Sequence, residues 1–189
     1  MTAFIALLRA VNVGGTGKLA MKDLKAICEA AGFAKVRTYI ASGNVVFESA
    51  GSEARVKTVL EASLAAHAGK PVGVLVRSGA QMAAILKANP FPDAAPNRTV
   101  AIFLDEPPDP HALDDVRGRG GEEIAPGVRE IYVHYGGGMA DSKLIIPAAR
   151  RGTARNINTV AKLAKMAADS RPAAGSPPPA TGRPGPLIP

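Results

Sequence analysis

Tryptophan is absent from these 189 residues, and aromatic side chains make up only 4%. The core must therefore be built from Ala, Val, Leu and Ile, and a hydrophobic fraction of 47% is enough for one. A single cysteine, Cys28, excludes an internal disulfide and any multi-cysteine metal site. It lies in an apolar helical pattern and reads as a small core residue. The three histidines, His67, His111 and His134, have no metal-ligand spacing among themselves or with Cys28, so no metal is expected. No apolar run approaches the roughly 20 residues of a membrane span. The N-terminus shows no tripartite secretory signal. These absences predict a soluble cytoplasmic protein with no membrane partner.

Charge is present but unevenly placed. The formal net charge is +7, yet residues 1–140 hold 15 Lys and Arg against 14 Asp and Glu. Residues 141–189 hold 8 basic residues against Asp141 and Asp169. A local positive field of this kind suits an anionic partner, although a solvated basic helix has the same composition.

Residues 1–77 read as one module. Phe4 to Leu8 is an apolar run of the kind found in a strand buried on both faces. Met21, Leu24, Cys28 and Ala31 share a helical face, and Gly32 is a helix stop. Val36 to Ile40 and Val45 to Phe47 form a hairpin around Ser42-Gly43-Asn44. Ser52 caps a helix reaching His67, and Val72 to Val76 is a fourth strand. The order β-α-β-β-α-β is the split βαβ, or ferredoxin-like, pattern. Residues 78–169 read as a second α+β module resembling a diverged repeat of the first. It has a helix from Gln81 to Ala88, a strand from Val100 to Leu104 and a short helix from Ala112 to Arg117. A hairpin then surrounds Pro126-Gly127, and a last helix, capped by Thr153, runs from Ala154 to about Ala168. Residues 170–189 hold seven of the 16 prolines and read as a disordered tail.

Two stretches suggest chemistry. The first is Arg9 to Lys18, a glycine-rich loop that leaves a strand and ends before a helix. Such a loop offers backbone N–H groups to an anion, with Arg9 and Lys18 as nearby cations. It is not a Walker loop: Asn12 stands where the first glycine belongs, and Leu19 follows the lysine in place of Ser or Thr. Gly14, Gly15 and Gly17 also have the wrong spacing for a dinucleotide fingerprint, so no cofactor is expected. The second stretch is the last helix. On a helical wheel Arg151, Arg155, Asn158, Lys162 and Lys165 share one side, opposite Ile157, Val160, Ala161 and Ala164. At its start, free N–H groups and Arg155 would attract an anion. No acid–base pair is specified, and Ser142-Lys143 reads as a surface loop.

Ala6 to Gly15, followed by Lys18, Met21 and Leu24, resembles the opening of the bacterial domain-of-unknown-function 1697 family. The similarity continues through Val36–Ile40, Ser42–Phe47, Asn89-Pro90-Phe91, Ser142-Lys143-Leu144 and Thr153-Ala154-Arg155-Asn156, and covers about residues 1–168. The resemblance implies two ferredoxin-like α+β modules with antiparallel sheets. It implies no activity, cofactor or catalytic residue. The family pattern has tryptophan where this chain has Ile157, which removes an aromatic platform for base stacking. The ligand-binding residues expected from these readings are Arg9, Asn12, Gly14, Gly15, Lys18, Ser42, Asn44, Lys143, Thr153, Arg155 and Asn156. They predict a small phosphate- or carboxylate-bearing ligand between the glycine loop and the Thr153 helix start. Sequence-blind nucleic-acid binding through the basic helix, and a protein-interaction module with an open sheet face, are the alternatives.

Overall fold

The computed structural model describes residues 1–11 and 18–170. The first unit is β1 (Thr2–Leu8), α1 (Met21–Ala30), β2 (Ala34–Tyr39), β3 (Asn44–Ser49), α2 (Glu53–Ala68) and β4 (Val74–Ser78). Its sheet is antiparallel throughout, in the order β2-β3-β1-β4, which is the ferredoxin-like arrangement. Pairing of Phe4 with Phe47 and of Ile5 with Val46 sends alternate residues to opposite faces. Phe4, Ala6, Leu8, Val45 and Phe47 pack under α1 and α2 with Leu24, Cys28, Leu60 and Leu64. Phe33 stacks on Phe47 with ring centroids 4.3 Å apart. Ser52 caps α2 by accepting from the Arg55 N–H, and Gly69, in the left-handed region at φ 67°, ends it.

The opposite face of this sheet is not open. Ile5, Leu7, Val46 and Leu75 pack on Met82 and Ile85 of α3 (Gly79–Lys87) and on Val160, Leu163 and Ala167 of α4 (Ile157–Ala168). Burial on both faces is the physical reason for the unbroken apolar run in β1.

The second sheet holds β5 (Thr99–Phe103), β6 (Glu123–Pro126), β7 (Glu130–His134) and β8 (Thr153–Asn156). Its order, β6-β7-β5-β8, repeats that of the first sheet. Ala101, Phe103 and Tyr132 close the far side of the α3–α4 layer. The outer face, with Val100, Ile102, Ile131 and Val133, lies under loop residues Leu113, Val116 and Leu144. Two ferredoxin-like sheets thus enclose one helical layer, an α+β fold. The second unit differs from the first in its crossovers. Turns replace the short helix expected from Ala112 to Arg117, and a 3-10 turn, Pro147–Ala149, precedes β8.

The last helix begins later than the sequence predicts. Thr153 is not its cap: Thr153–Asn156 is strand β8, with Thr153 paired to Phe103 and Arg155 to Ala101. Asn156 caps α4, its Oδ1 accepting from the Thr159 N–H at 2.9 Å. Thr153 and Asn156 both have N-cap chemistry, and the partner strand β5, about fifty residues away, decides between them. The C-terminal end of α4 is held by cations from β2: Arg37 donates to the Met166 carbonyl and the Ser170 hydroxyl, and Lys35 donates to the Ser170 carbonyl at 3.0 Å.

Cys28 is fully buried on α1, and burial pushes its thiol up to about 12. The folded protein is therefore expected to resist a maleimide at neutral pH, while the urea-unfolded chain labels fully. Intact-mass measurement of both reads the result; rapid native labelling would contradict this burial.

Candidate functional site

The end of β1 is held from two sides. The Leu8 N–H donates to the Gly43 carbonyl at 2.8 Å and the Arg9 N–H to the Gly73 carbonyl at 2.9 Å. Ala10 then takes φ 49°, a left-handed conformation uncommon outside glycine. Arg9 crosses Gly73 closely: a Cβ there would lie 3.0 Å from Arg9 Cδ. Beyond this point a cleft of about 690 Å³ opens between the two sheet units. Arg9, Lys18, Lys70, Arg150 and His67 line it, together with Leu19, Leu64, Pro71 and Val72. No Asp or Glu lines it among the described residues. Arg9 Nη2 donates to the Arg150 carbonyl at 3.4 Å, while Arg9 Nε is buried and has no hydrogen-bond partner among the described residues. A cleft of this size accommodates a small molecule, and among the described residues no carboxylate in its walls compensates its cations.

Arg155 has a different role. It lies on β8, and its guanidinium uses every donor on the chain itself. Nε donates to Asn44 Oδ1 at 2.6 Å, and Nη1 donates to Thr153 Oγ1 at 2.8 Å and the Ala154 carbonyl at 2.9 Å. Nη2 donates to the carbonyls of Leu8 at 3.0 Å and Ser42 at 2.8 Å. Burial pulls Arg155 down to about 10, which still leaves it charged at neutral pH. Asn44 is fully buried, and its amide donates to the Tyr39 carbonyl and Ser42 Oγ. The turn that presents Ser42 requires Gly43 at φ 77°, where a Cβ would also meet Leu8 Cβ at 2.9 Å. Ser42, Asn44, Thr153 and Arg155 therefore meet in one cluster that ties β8 to the ends of β1 and β3.

The remaining expected residues separate. Asn156 caps α4. Lys143 is exposed in the segment bridged to Arg117 through Ile145 and does not line the cleft. Its neighbour Ser142 donates to Glu122, whose carboxylate also accepts from the Gly120 N–H at 2.6 Å; the Ser142 hydroxyl and these N–H groups hold it down at about 2. Asn12, Gly14 and Gly15, with the rest of the glycine loop and the proline-rich tail, lie outside the described residues. Of the eleven expected residues, only Arg9 and Lys18 line the cleft among those described. Sequence reasoning missed His67, Lys70 and Arg150, which resemble any solvated basic residue. Lys70 follows the Gly69 helix stop and precedes Pro71, so it had a loop signal but no motif.

The basic stripe predicted on the last helix also breaks up. Arg151 precedes β8, Arg155 belongs to it, and Lys162 and Lys165 remain exposed on α4. No described helix is long and apolar enough to cross a membrane.

The fold has a solved counterpart, a conserved bacterial protein from Streptococcus pneumoniae, similar at 26% identity and a TM-score of 0.73. The match covers 88% of this chain and 98% of that one. No curated protein matches the sequence. The model of the family described as protein of unknown function (DUF1697) matches residues 1–132, and the chain belongs to that family.

Proposed function

We propose that this protein binds a small anionic molecule, bearing a phosphate or carboxylate, in the cleft between Arg9, Lys18, Lys70 and Arg150. One observation carries the reading: four cations line a single concave site with no acidic partner among its described walls. Cations brought together on one surface repel, and an anion relieves that repulsion. Arg9 adds a buried Nε–H without a partner among the described residues, and an unused buried donor is costly unless a bound group accepts from it. The left-handed Ala10 in the same wall supports it further, because strained backbone collects at functional sites. The site differs in one wall from the expected one. Arg150 and Lys70 take the place assigned to Arg155, whose donors are spent within the chain.

The nucleic-acid reading loses support from the dispersal of the basic stripe. It also loses the sheet surface on which ferredoxin-like proteins stack bases, since both sheets are covered on both faces. The same coverage removes the open face on which the interaction-module reading depended.

Isothermal titration with inorganic phosphate and pyrophosphate at low salt tests the proposal. Arg150→Ala is expected to weaken binding about tenfold or more, the loss of a charge-assisted hydrogen bond. Lys165→Ala, on the exposed side of α4, should bind as the parent does. Added salt should weaken the interaction. A folded parent that takes up neither anion at millimolar concentration would refute it.

A further inference from the structure

The cleft has a second kind of wall, and this inference rests on the anion reading above. Besides its cations, Leu19, Leu64, Ala68, Pro71 and Val72 line the cleft. These side chains are aliphatic, and Ala68, Pro71 and Val72 keep exposed or partly exposed surface. Among the described residues, no phenyl, phenol or indole ring lines the site, and no hydroxyl, amide or carboxylate side chain does either.

The described walls suit some anions better than others. A nucleobase is held by stacking and by hydrogen bonds to its edge, and these walls offer little of either beyond the His67 ring. A sugar also needs acceptors for its hydroxyl hydrogens, and the described side chains of the cleft offer none beyond the His67 ring. A simple carboxylate brings one charge to a site with four cations. A phosphate monoester brings nearly two, and a diphosphate more. Hydrocarbon placed on the aliphatic wall leaves water without needing a polar partner.

We propose that the cleft takes an aliphatic phosphate or diphosphate ester. The phosphoryl head sits among Arg9, Lys18, Lys70 and Arg150, and the hydrocarbon body lies along Leu19, Ala68, Pro71 and Val72. The cations set the charge of the head, and the aliphatic wall selects a body without ring stacking or hydroxyl contacts.

Titration of the full chain with methyl, butyl, hexyl and octyl phosphate, all below their aggregation concentrations, tests this. Hexanoate and adenosine monophosphate are the comparison ligands. Affinity should rise by up to about fourfold per methylene, equivalent to ~0.8 kcal/mol for each buried CH₂, and level off once the cleft is filled. Hexyl phosphate should bind more tightly than hexanoate and than adenosine monophosphate. In Val72→Asn the gain from methyl to hexyl phosphate should shrink. Equal affinity along the series, with methyl phosphate still bound, overturns the aliphatic body and leaves the anion site standing. Tighter binding of the nucleotide than of hexyl phosphate does the same. No binding of any phosphate overturns both.

Discussion

Arg155→Met is expected to lower the unfolding free energy by about 3–5 kcal/mol, the scale of leaving two or more buried acceptors unpaired at about 1–3 kcal/mol each. The melting temperature should fall by about 10 °C. The methionine fills similar space but donates nothing. The carbonyls of Leu8, Ser42 and Ala154 and the Asn44 side chain each lose the hydrogen that Arg155 supplies. Leu8 and Asn44 are buried, so water replaces those bonds poorly. Arg155→Lys retains a charge but has at most three donors in place of five. It should recover only part of the loss. Urea denaturation of the three proteins measures the series. A loss below about 1 kcal/mol for Arg155→Met, the value of an exposed interaction, would show that the cluster is wet and the guanidinium replaceable.

The second large effect is expected at Arg77, on β4. It is 1% exposed and donates to the carbonyls of Val76 at 2.8 Å, Leu104 at 2.6 Å and Arg129 at 2.8 Å. Its guanidinium carbon lies 5.7 Å from the Phe103 ring centroid. Burial, and then the neighbouring Arg129, draw its pKa down, while Glu53, Glu130 and Asp105 oppose that. Arg77→Met should cost about 3 kcal/mol or more, because it leaves buried carbonyls unpaired and removes a cation facing buried Glu130. Arg77 and Arg155 are reciprocal. Arg77 reaches from the first sheet into loops of the second, and Arg155 reaches from the second sheet to the ends of the central strands β1 and β3 of the first. Neither is compensated by a carboxylate at contact distance among the described residues. An apolar pair of equal shape would not satisfy the carbonyls these two hold. Denaturant midpoints of the single and double variants would show whether the two ties act independently.

Much of this architecture was legible because it is local. The alternating apolar residues, the Ser52 cap, the Gly32 stop and the Ser42-Gly43-Asn44 turn each depend on neighbours within a few positions. The strand order of the first sheet followed from β-α-β-β-α-β. The start of α4 was misplaced because Thr153 and Asn156 offer the same cap, and the choice belongs to pairing with Phe103 and Ala101. The site was half legible for a related reason. Arg9 and Lys18 flank an unusual loop and were visible, whereas Lys70 and Arg150 reach the cleft only because β4 lies beside β1 and the segment before β8 passes near Arg9. The sequence reading assigns Arg155 to an anion, whereas the structure pairs its donors within the chain. Three of its five acceptors, on Leu8, Ser42 and Asn44, lie more than a hundred positions away, which no local pattern encodes.

The position of α4 has a consequence for synthesis on the ribosome. The last described helix forms part of the layer between both sheets, so Ile5, Leu7, Val46 and Leu75 lack half of their cover until residues 157–168 are made. At common translation rates, the interval after β4 is about 5–20 s. During that time the emerging chain presents a flat, greasy surface on an otherwise finished sheet. A stop codon or frameshift within those ninety-odd codons would release a product that keeps its first four strands and sticks to its own kind. Uninterrupted translation to the end of α4 shortens the time for which that surface stays bare.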